Sequence, residues 1–584
     1  MKKFSADFET ATWLPDETYV WAWACCEIGN ESNIKYGTNI DSFMDYMFKN
    51  HGNTFYFHNL KFDGEFILYW LLKNGYTFIN NPKEAKSKTF TTLISDMGQF
   101  YSICIYYEVK GKKAKKITIN DSLKLLPFSV DQIAKTFGLP ISKLKIDYDK
   151  PREKNHLLTQ EEIDYISNDI LIVSYALNTL FNENLNKMTI GSNALKDFKN
   201  IISINIFNKL FPNIDEKLDE ELRKAYKGGF TYLNPLYKNI DTGKGITLDV
   251  NSLYPSCMLK MLPYDKPVYF SGKYEYDKKY PLYIQKISCS FKIKKNKIPT
   301  IQIKGGFNYI PNEYLTTTNG EIEVLTLTSI DLALFLEQYE TENLEYIEGW
   351  KFKGMKGIFD KYINKWTERK IKATIEGNKG QRQLAKLMLN SLYGKFATRL
   401  EVKEKEAYLG DDDIVHYRLL EAEEKDGIYL PIGCFITAYA RDKTIRTSQA
   451  ITDYSIQKYG HDMYIYSDTD SISTTLDIEE VKQFCEISST ELGKWDHENT
   501  FDNAKFIRQK TYLKSINGEV HITCAGMPKT CYDAVTWENF KEGQTYGGKL
   551  MYSHVRGGVK LIETEFTIKK DKELRKNAST FNVL

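Results

Sequence analysis

The stretch YIYSDTDS, Tyr464 to Ser471, sets two acids one residue apart at the end of an apolar alternating run that opens at Met463. Alternation of this kind predicts a strand. In a strand, residues i and i+2 project from one face, so Asp468 and Asp470 would stand about 7 Å apart on the same side. Like charges held together repel unless a cation lies between them. The pattern therefore asks for a strand tip that faces a divalent metal.

At 584 residues the chain is too long for one core and divides into several domains. Hydrophobic residues at 42% and charged residues at 27% describe a soluble globular protein. A net charge of +2 excludes a global basic field, so any nucleic acid must be met by local patches. Many of the 40 Tyr and 32 Phe serve as core, yet their π-faces also suit base stacking. The nine Cys are scattered apart from Cys25-Cys26 and form no CxxC pair, which argues against a disulfide framework and structural zinc. Asp7 and Glu9 interrupt any signal-like apolar region, and no run of about 18 apolar residues exists. A soluble cytoplasmic protein is expected.

The first part mixes short strands (4–8, 19–25, 55–58) with helical stretches (66–73, 161–181), an α/β pattern. A turn-rich break follows at Met188 to Ser192, and a Gly-rich turn at 241–245 feeds the strand ITLDV. Short β-like runs fill 263–350, and 352–396 is predominantly helical. Residues 400–429 are polar and acidic, a composition that ordinarily forms a solvated face. The tail from Lys541 is Gly- and Lys-rich with short strands, and no internal repeat is present.

SADFET repeats the opening pattern, with Asp7 and Glu9 on one strand face. YFHNLKFDGEF supplies Asp63 with His58, Asn59 and Phe62 beside it. In EEIDYISNDILIVSYAL, Tyr165 and Asp169 stand at i and i+4, side by side on a helix. Singly, each reads as an exposed acid pair or as helical neighbours. In order, DxE, NxxxD and YxxxD resemble the 3′–5′ exonuclease motifs of the DEDD type, found on an RNase H-like fold. The resemblance implies two Mg²⁺ held by Asp7, Glu9, Asp63 and Asp169, with Tyr165 orienting the attacking water and Lys143 steadying the phosphate. Hard cations prefer carboxylate oxygens, and a metal pair clamps entering and leaving oxygens. It also implies Thr10, His58, Asn59, Phe62, Ser122, Leu123, Phe128 and Tyr148 as single-strand ligands. The aromatics would stack on a frayed end, with ordinary packing the alternative for Phe128 and Tyr148.

TLDVNSLYPS ends a strand at Asp249, a third carboxylate for the metal argument. In QRQLAKLMLNSLYGKF, Arg382, Lys386, Asn390 and Tyr393 fall within about 80° on a helix. Leu384, Leu387, Met388 and Leu392 cover the opposite face. Alone this is an amphipathic surface helix; beside the three acids it reads as a triphosphate cradle. DxxSLYP, KxxxNSxYG and YxDTDS resemble motifs A, B and C of family B DNA polymerases. The resemblance implies two Mg²⁺ in this site as well, with Mn²⁺ as a substitute, held by Asp249, Val250, Asp468 and Asp470. Lys386 and Arg382 would neutralise phosphates, with Asn390 and Val250 also in the nucleotide site. Tyr393 would pack the nascent base pair, and Tyr254 would wall off the sugar 2′ position. KAYKGGF contributes Tyr226, Gly228 and Gly229, whose glycines would let backbone approach DNA. ITAYAR contributes Thr437 and Arg441, and RQKTY contributes Lys510 and Tyr512 at the primer end. Which of Arg369, Lys370 and Lys372 touches phosphate stays open.

The resemblance runs from Asp7 to the C-terminal tail and is closest to the terminal-protein-primed DNA polymerases of small linear-genome phages. It implies a mixed α/β and α+β multidomain fold. Residues 1–187 would form an RNase H-like exonuclease domain, 188–257 and 429–528 the palm, and 358–397 the fingers. Residues 258–357 and 398–428 would be terminal protein regions one and two, and 529–584 the thumb and tail. The acidic 400–429 segment would face solvent or the priming protein. The implied function is replication from a protein primer, with strand displacement and proofreading. Implied partners are template and primer DNA, dNTPs, a terminal protein and a phage single-stranded-DNA-binding protein, met by a monomer in the host cytoplasm without a membrane. Rival readings are a nuclease with a decayed polymerase half, a non-catalytic single-strand scaffold, and a linear-plasmid polymerase of the same chemistry. Intact Asp249, Asp468, Asp470 and Lys386 weigh against the first, and seven positioned acids weigh against the second.

Overall fold

The computed structural model describes residues 1–111, 113–148, 150–302, 313–425 and 427–570. Residues 303–312 and 426 of the two expected insertions, and 571–584 of the expected tail, lie outside the described residues. The N-terminal region is built on an eight-stranded sheet in the spatial order Asn30–Gly37, Val20–Glu27, Lys3–Thr10, Thr54–Phe57, Lys113–Asp121, Phe100–Lys110, Thr89–Ile94, Thr77–Phe78. Lys3–Thr10, Thr54–Phe57 and Lys113–Asp121 run parallel, so their carboxyl ends open onto one crevice, the usual place for a ligand.

Small residues decide how closely a helix covers that crevice. Asp7 pairs with Ala24 and Glu9 with Ala22 across the antiparallel ladder, and directly opposed residues share a face. The buried alanines leave room for helix Gln160–Asn182, whose Tyr165, Ile166 and Ile170 pack against them. A capping box of Thr159 and Glu162 starts this helix. Glu162 is held in turn by buried Arg152, Nε to Oε1 2.6 Å.

The second region centres on a five-stranded antiparallel sheet, ordered Trp495–Phe501, Gly245–Val250, Ser471–Thr474, Tyr464–Asp468, Thr231–Leu233. The 29-residue helix Pro431–Tyr459 is buried along most of its length behind it. Helices Asp360–Ile375 and Lys379–Ser391 form a hairpin beside the sheet. Residues of both regions, among them Ile172, Leu177, Phe198, Leu248 and Trp366, share one continuous core.

Strands Leu262–Ser271, Tyr339–Met355, Leu282–Ile293 and Glu323–Thr328 make a further sheet. Helix Ser329–Gln338 within it has no counterpart in the sequence reading, because a short apolar run does not separate helix from strand by period. The acidic segment departs from expectation too. Its hairpin, Lys405–Leu409 with Val415–Leu419, buries Ala407 and Val415 in the N-terminal core. Asp413 pairs with Lys73 at 2.7 Å, and Tyr417 donates to Glu65 at 2.6 Å. Alternation along the hairpin sends part of an acidic stretch inward. The C-terminal hairpin, Thr545–Val555 with Gly558–Thr567, reaches helix Leu60–Lys73 as well, through His554 and Glu65, Nε2 to Oε1 3.1 Å.

Candidate functional site

Asp7, Glu9, Asp63 and Asp169 line a cavity of ≈ 330 Å³ in the N-terminal region. Tyr165, Lys143, Thr10, His58, Asn59, Phe62 and Tyr148 complete the expected part of its wall. Burial, followed by the charge of Asp169, pushes the Asp7 carboxyl up to about 7. Burial and then Asp7 push Glu9 and Asp63 well above the ordinary range. Lys143 Nζ lies 2.8 Å from Asp169 Oδ2, and the hydroxyls of Tyr148 and Tyr165 bond to each other.

Asp63 Oδ1 and Asp169 Oδ1 are buried with no hydrogen-bond partner. Unpartnered carboxylate oxygens among repelling acids form a donor set that hard divalent cations relieve, so the residues fit Mg²⁺. Among the described residues no three acidic, His or Cys side chains are already drawn round one point; the acids face a shared space.

Three expected strand ligands are not on this wall. His58 Nε2 lies 2.7 Å from the Phe128 carbonyl, and Nδ1 lies 2.9 Å from Ser122 Oγ. A carbonyl only accepts, so Nε2 carries the proton. Burial pulls the imidazole pKa down, which keeps it neutral. Ser122 is fully buried and Phe128 packs on the core, while Leu123 N takes the Asp121 carboxylate at 2.9 Å. In this structure Ser122 and the Phe128 carbonyl hold the His58 ring.

The cavity also has a wall that the sequence reading missed: Tyr552, Val559, Lys560 and Leu561 of the C-terminal hairpin. Asn59 Nδ2 donates to Tyr552 Oη at 3.1 Å, and Lys61 lies 5.0 Å from the centre of that ring.

The second cavity, ≈ 430 Å³, is lined by Asp249, Asp468, Asp470, Glu498, Lys510, Tyr512 and Lys514 among others. Here the opening geometry is corrected. The strand ends at Asp468, and Thr469 and Asp470 form the turn to Ser471. Asp470 is therefore not a same-face strand neighbour. Its carbonyl accepts from Val250 N at 2.7 Å, which stitches the turn to the Asp249 strand. Thr469 sits at φ 59, costly for a β-branched residue. Bonds from its N to the Phe230 carbonyl and from Thr444 Oγ1 to its own carbonyl, both 2.7 Å, hold it there. Val250 has a buried side chain, so only its backbone can take part in the site.

Burial, then Asp470 and Glu498, push Asp249 up to about 7, with Lys386 opposing. Glu498 reaches the cavity through a bulge: Thr247 pairs with Asn499 and Leu248 with His497, leaving Glu498 as the extra residue. Bulges re-aim side chains in this way. Lys510 Nζ lies 3.0 Å from Asp468 Oδ1.

On helix Lys379–Ser391, Arg382, Lys386 and Asn390 are exposed while Leu384 and Met388 are buried. The helix ends before Tyr393, which a short second helix carries onto Tyr254 in a stack 4.1 Å apart. Burial and then the charges of Arg382 and Lys386 lower the Lys370 pKa, placing it in the same stripe. Arg369 is tied to Glu183 at 2.6 Å and Lys372 to Glu376 at 3.8 Å.

Thr437 and Arg441, expected at the DNA, are buried. The Arg441 guanidinium pairs with Asp331, Nη2 to Oδ2 2.7 Å, and donates to the carbonyls of Lys227 and Gly228 at 2.6 and 2.8 Å. It shapes the glycine loop from behind. A Cβ on Gly229 would lie 2.4 Å from Thr469 Oγ1, so the Thr469 turn itself requires this glycine; a Cβ on Gly228 would meet nothing within 4 Å. Tyr226 packs partly buried on the core.

An α/β sheet with an acid-lined crevice, joined to an antiparallel sheet whose acids face a cationic helical hairpin, defines a nucleotidyl-transferring architecture with two separate acid centres. A family model described as "DNA polymerase type B, organellar and viral" matches residues 44–159 and 149–488. The chain is 46% identical to the DNA polymerase of Bacillus phage M2 over 97% of this chain and 100% of that one. It is 45% identical to that of Bacillus phage phi29, over 97% and 99%. The structure of phi29 DNA polymerase with primer-template DNA and incoming nucleotide substrates superimposes with a TM-score of 0.90 at 44% identity, covering 97% of this chain and 100% of that one. The chain belongs to the type B DNA polymerases and is a DNA-directed DNA polymerase.

Proposed function

We propose that the chain is a replicative, protein-primed polymerase with its own 3′–5′ proofreading exonuclease. The observation that carries the synthetic half is Asp249 beside the Asp468–Asp470 turn, with Lys386 close enough to oppose the rise in its pKa. Asp249, Asp468, Asp470 and the Val250 backbone would hold two Mg²⁺ there; Asp7, Glu9, Asp63 and Asp169 would hold two more in the N-terminal cavity. Bound ions supply charge neutralisation at the entering and leaving oxygens of the phosphoryl group.

The side chains do the rest. Lys370, Arg382 and Lys386 draw in and neutralise the triphosphate of a dNTP, with Asn390 on the same face. The Tyr254–Tyr393 stack forms the floor under the sugar and nascent base pair, so a 2′-hydroxyl is refused. Lys510 and Tyr512 hold the primer end. In the N-terminal cavity Lys143 steadies the scissile phosphate and Tyr165, paired with Tyr148, orients water. Thr10, Asn59, Phe62 and Tyr148 hold the frayed strand.

The proposed division is exonuclease 1–187, palm 188–257 and 429–528, fingers 358–397, terminal protein regions 258–357 and 398–428, and thumb with tail 529–584. The proposed partners are duplex DNA, a terminal protein and a phage single-stranded-DNA-binding protein in the host cytoplasm. The phage polymerases at 45–46% identity support this reading, and no described helix is long and apolar enough to cross a membrane. The deciding experiment loads a deoxynucleotide onto a candidate terminal protein without any oligonucleotide. A covalent nucleotide–protein product is expected; extension of DNA primers alone would remove protein priming from the reading.

A further inference from the structure

Lys514 is buried, 7% exposed, on strand Thr511–Ile516 beneath the second cavity. Its Nζ donates to Thr247 Oγ1 at 2.7 Å and to Ser473 Oγ at 3.0 Å. Thr247 and Ser473 are paired across the sheet, and the next pair on the same face is Asp249 with Ser471. The ammonium therefore lies about one i, i+2 spacing, roughly 7 Å, below the acids. Its hydrogen-bond partners are neutral hydroxyls, and the rings of Phe501 and Tyr512 lie 5.4 and 5.2 Å from it. A buried cation with neutral partners is costly unless a field of opposite sign offsets it. Glu498 supplies that field most directly, and Asp249, Asp468 and Asp470 line the same cavity. Burial, opposed in part by the charge of Glu498, pulls the amine down to about 8.

We propose that Lys514 is a positioning residue that stands in for part of the metal charge beneath the palm acids and thereby limits how tightly that cavity takes a divalent ion. The inference rests on the reading of this cavity as a Mg²⁺ site. In the cation-free state Lys514 offsets repulsion among the four carboxylates. When ions enter, it opposes them, which favours release between turnovers.

The test is calorimetric titration of the full chain with Mg²⁺ alone, in an Asp7→Ala/Glu9→Ala background that removes the N-terminal ions. Lys514→Gln keeps a polar donor on the strand and removes the charge; Lys514→Met removes both. Both variants are expected to bind Mg²⁺ at least about fivefold more tightly, as loss of a nearby like charge requires. Their melting temperatures without cation should fall, and the rise on adding Mg²⁺ should exceed the parent's. Unchanged or weaker Mg²⁺ binding by Lys514→Gln would overturn the proposal, as would tightening by Met but not by Gln. Asp249→Ala in the same titration tests the reading beneath it. Weakened binding there with no change in Lys514→Gln defeats the lysine alone, whereas no change in Asp249→Ala defeats the metal site and the inference with it.

Discussion

In the N-terminal cavity Glu9, Asp63 and Asp169 are 8%, 3% and 4% exposed, and of the two lysines on its wall, Lys143 and Lys560, Lys143 pairs with an acid, Asp169. Around the second cavity Asp249, Asp468 and Asp470 remain partly exposed, and Lys510, Lys514 and the Lys386 stripe surround them. On the proposed reading the first arrangement would enclose one strand end, and its buried acids would need cations before they could receive it. On the same reading the second would admit a duplex and a triphosphate, which suits its open, cationic rim. The two acid clusters thus differ in what surrounds them, burial in one place and fixed lysines in the other.

The comparison breaks most readily at the metal. Chelation by EDTA should abolish both synthesis and degradation, with Mg²⁺ or Mn²⁺ restoring each, measured on end-labelled primer-template; persistence of either activity would detach that cavity from two-metal chemistry. Next in size, Tyr165→Phe should slow degradation of single strands by roughly 10–100-fold, as loss of an orienting group does, and leave extension intact. Tyr254→Val should raise ribonucleotide incorporation about 10–100-fold relative to deoxynucleotide, from the ratio of kcat/KM values; an unchanged ratio would remove Tyr254 from sugar selection. The smallest effect is a pH dependence of the enclosed side alone. The bond to Glu65, the main cause, raises the His554 pKa. A raised base stabilises fully below its unfolded value, about 6.5, and that contribution is lost as pH rises through the folded value. Protection of the C-terminal hairpin amides, taken relative to the intrinsic pH dependence of exchange, should therefore fall as pH rises above about 6.5 in the parent and not in His554→Gln.

Much of this was legible in the residues because the acids announce themselves at strand ends and at i, i+4 on a helix. Asp7, Glu9, Asp63 and Asp169 meet where such periodicity puts them. What stayed hidden depends on contacts between segments remote in sequence. Glu498 enters through a bulge, which alternation cannot foresee. Lys514 sits two residues past Tyr512 on one strand face, where a lone lysine reads as solvated. Tyr552 meets Asn59 across 493 residues of chain. Alternation runs through Asp470 and predicts a strand there, whereas a positive φ at Thr469 turns the chain first. Arg441, a DNA ligand by the resemblance, is claimed by Asp331 from a separate segment.

The most direct test of two independent acid centres sets Asp249→Ala against Asp7→Ala/Glu9→Ala on one labelled primer-template, with and without dNTPs. Asp249→Ala should lose extension by at least about 10³-fold while degrading single strands at the parent rate, and the double variant should do the reverse. Loss of both activities in either protein, with its melting temperature intact, would contradict the separation.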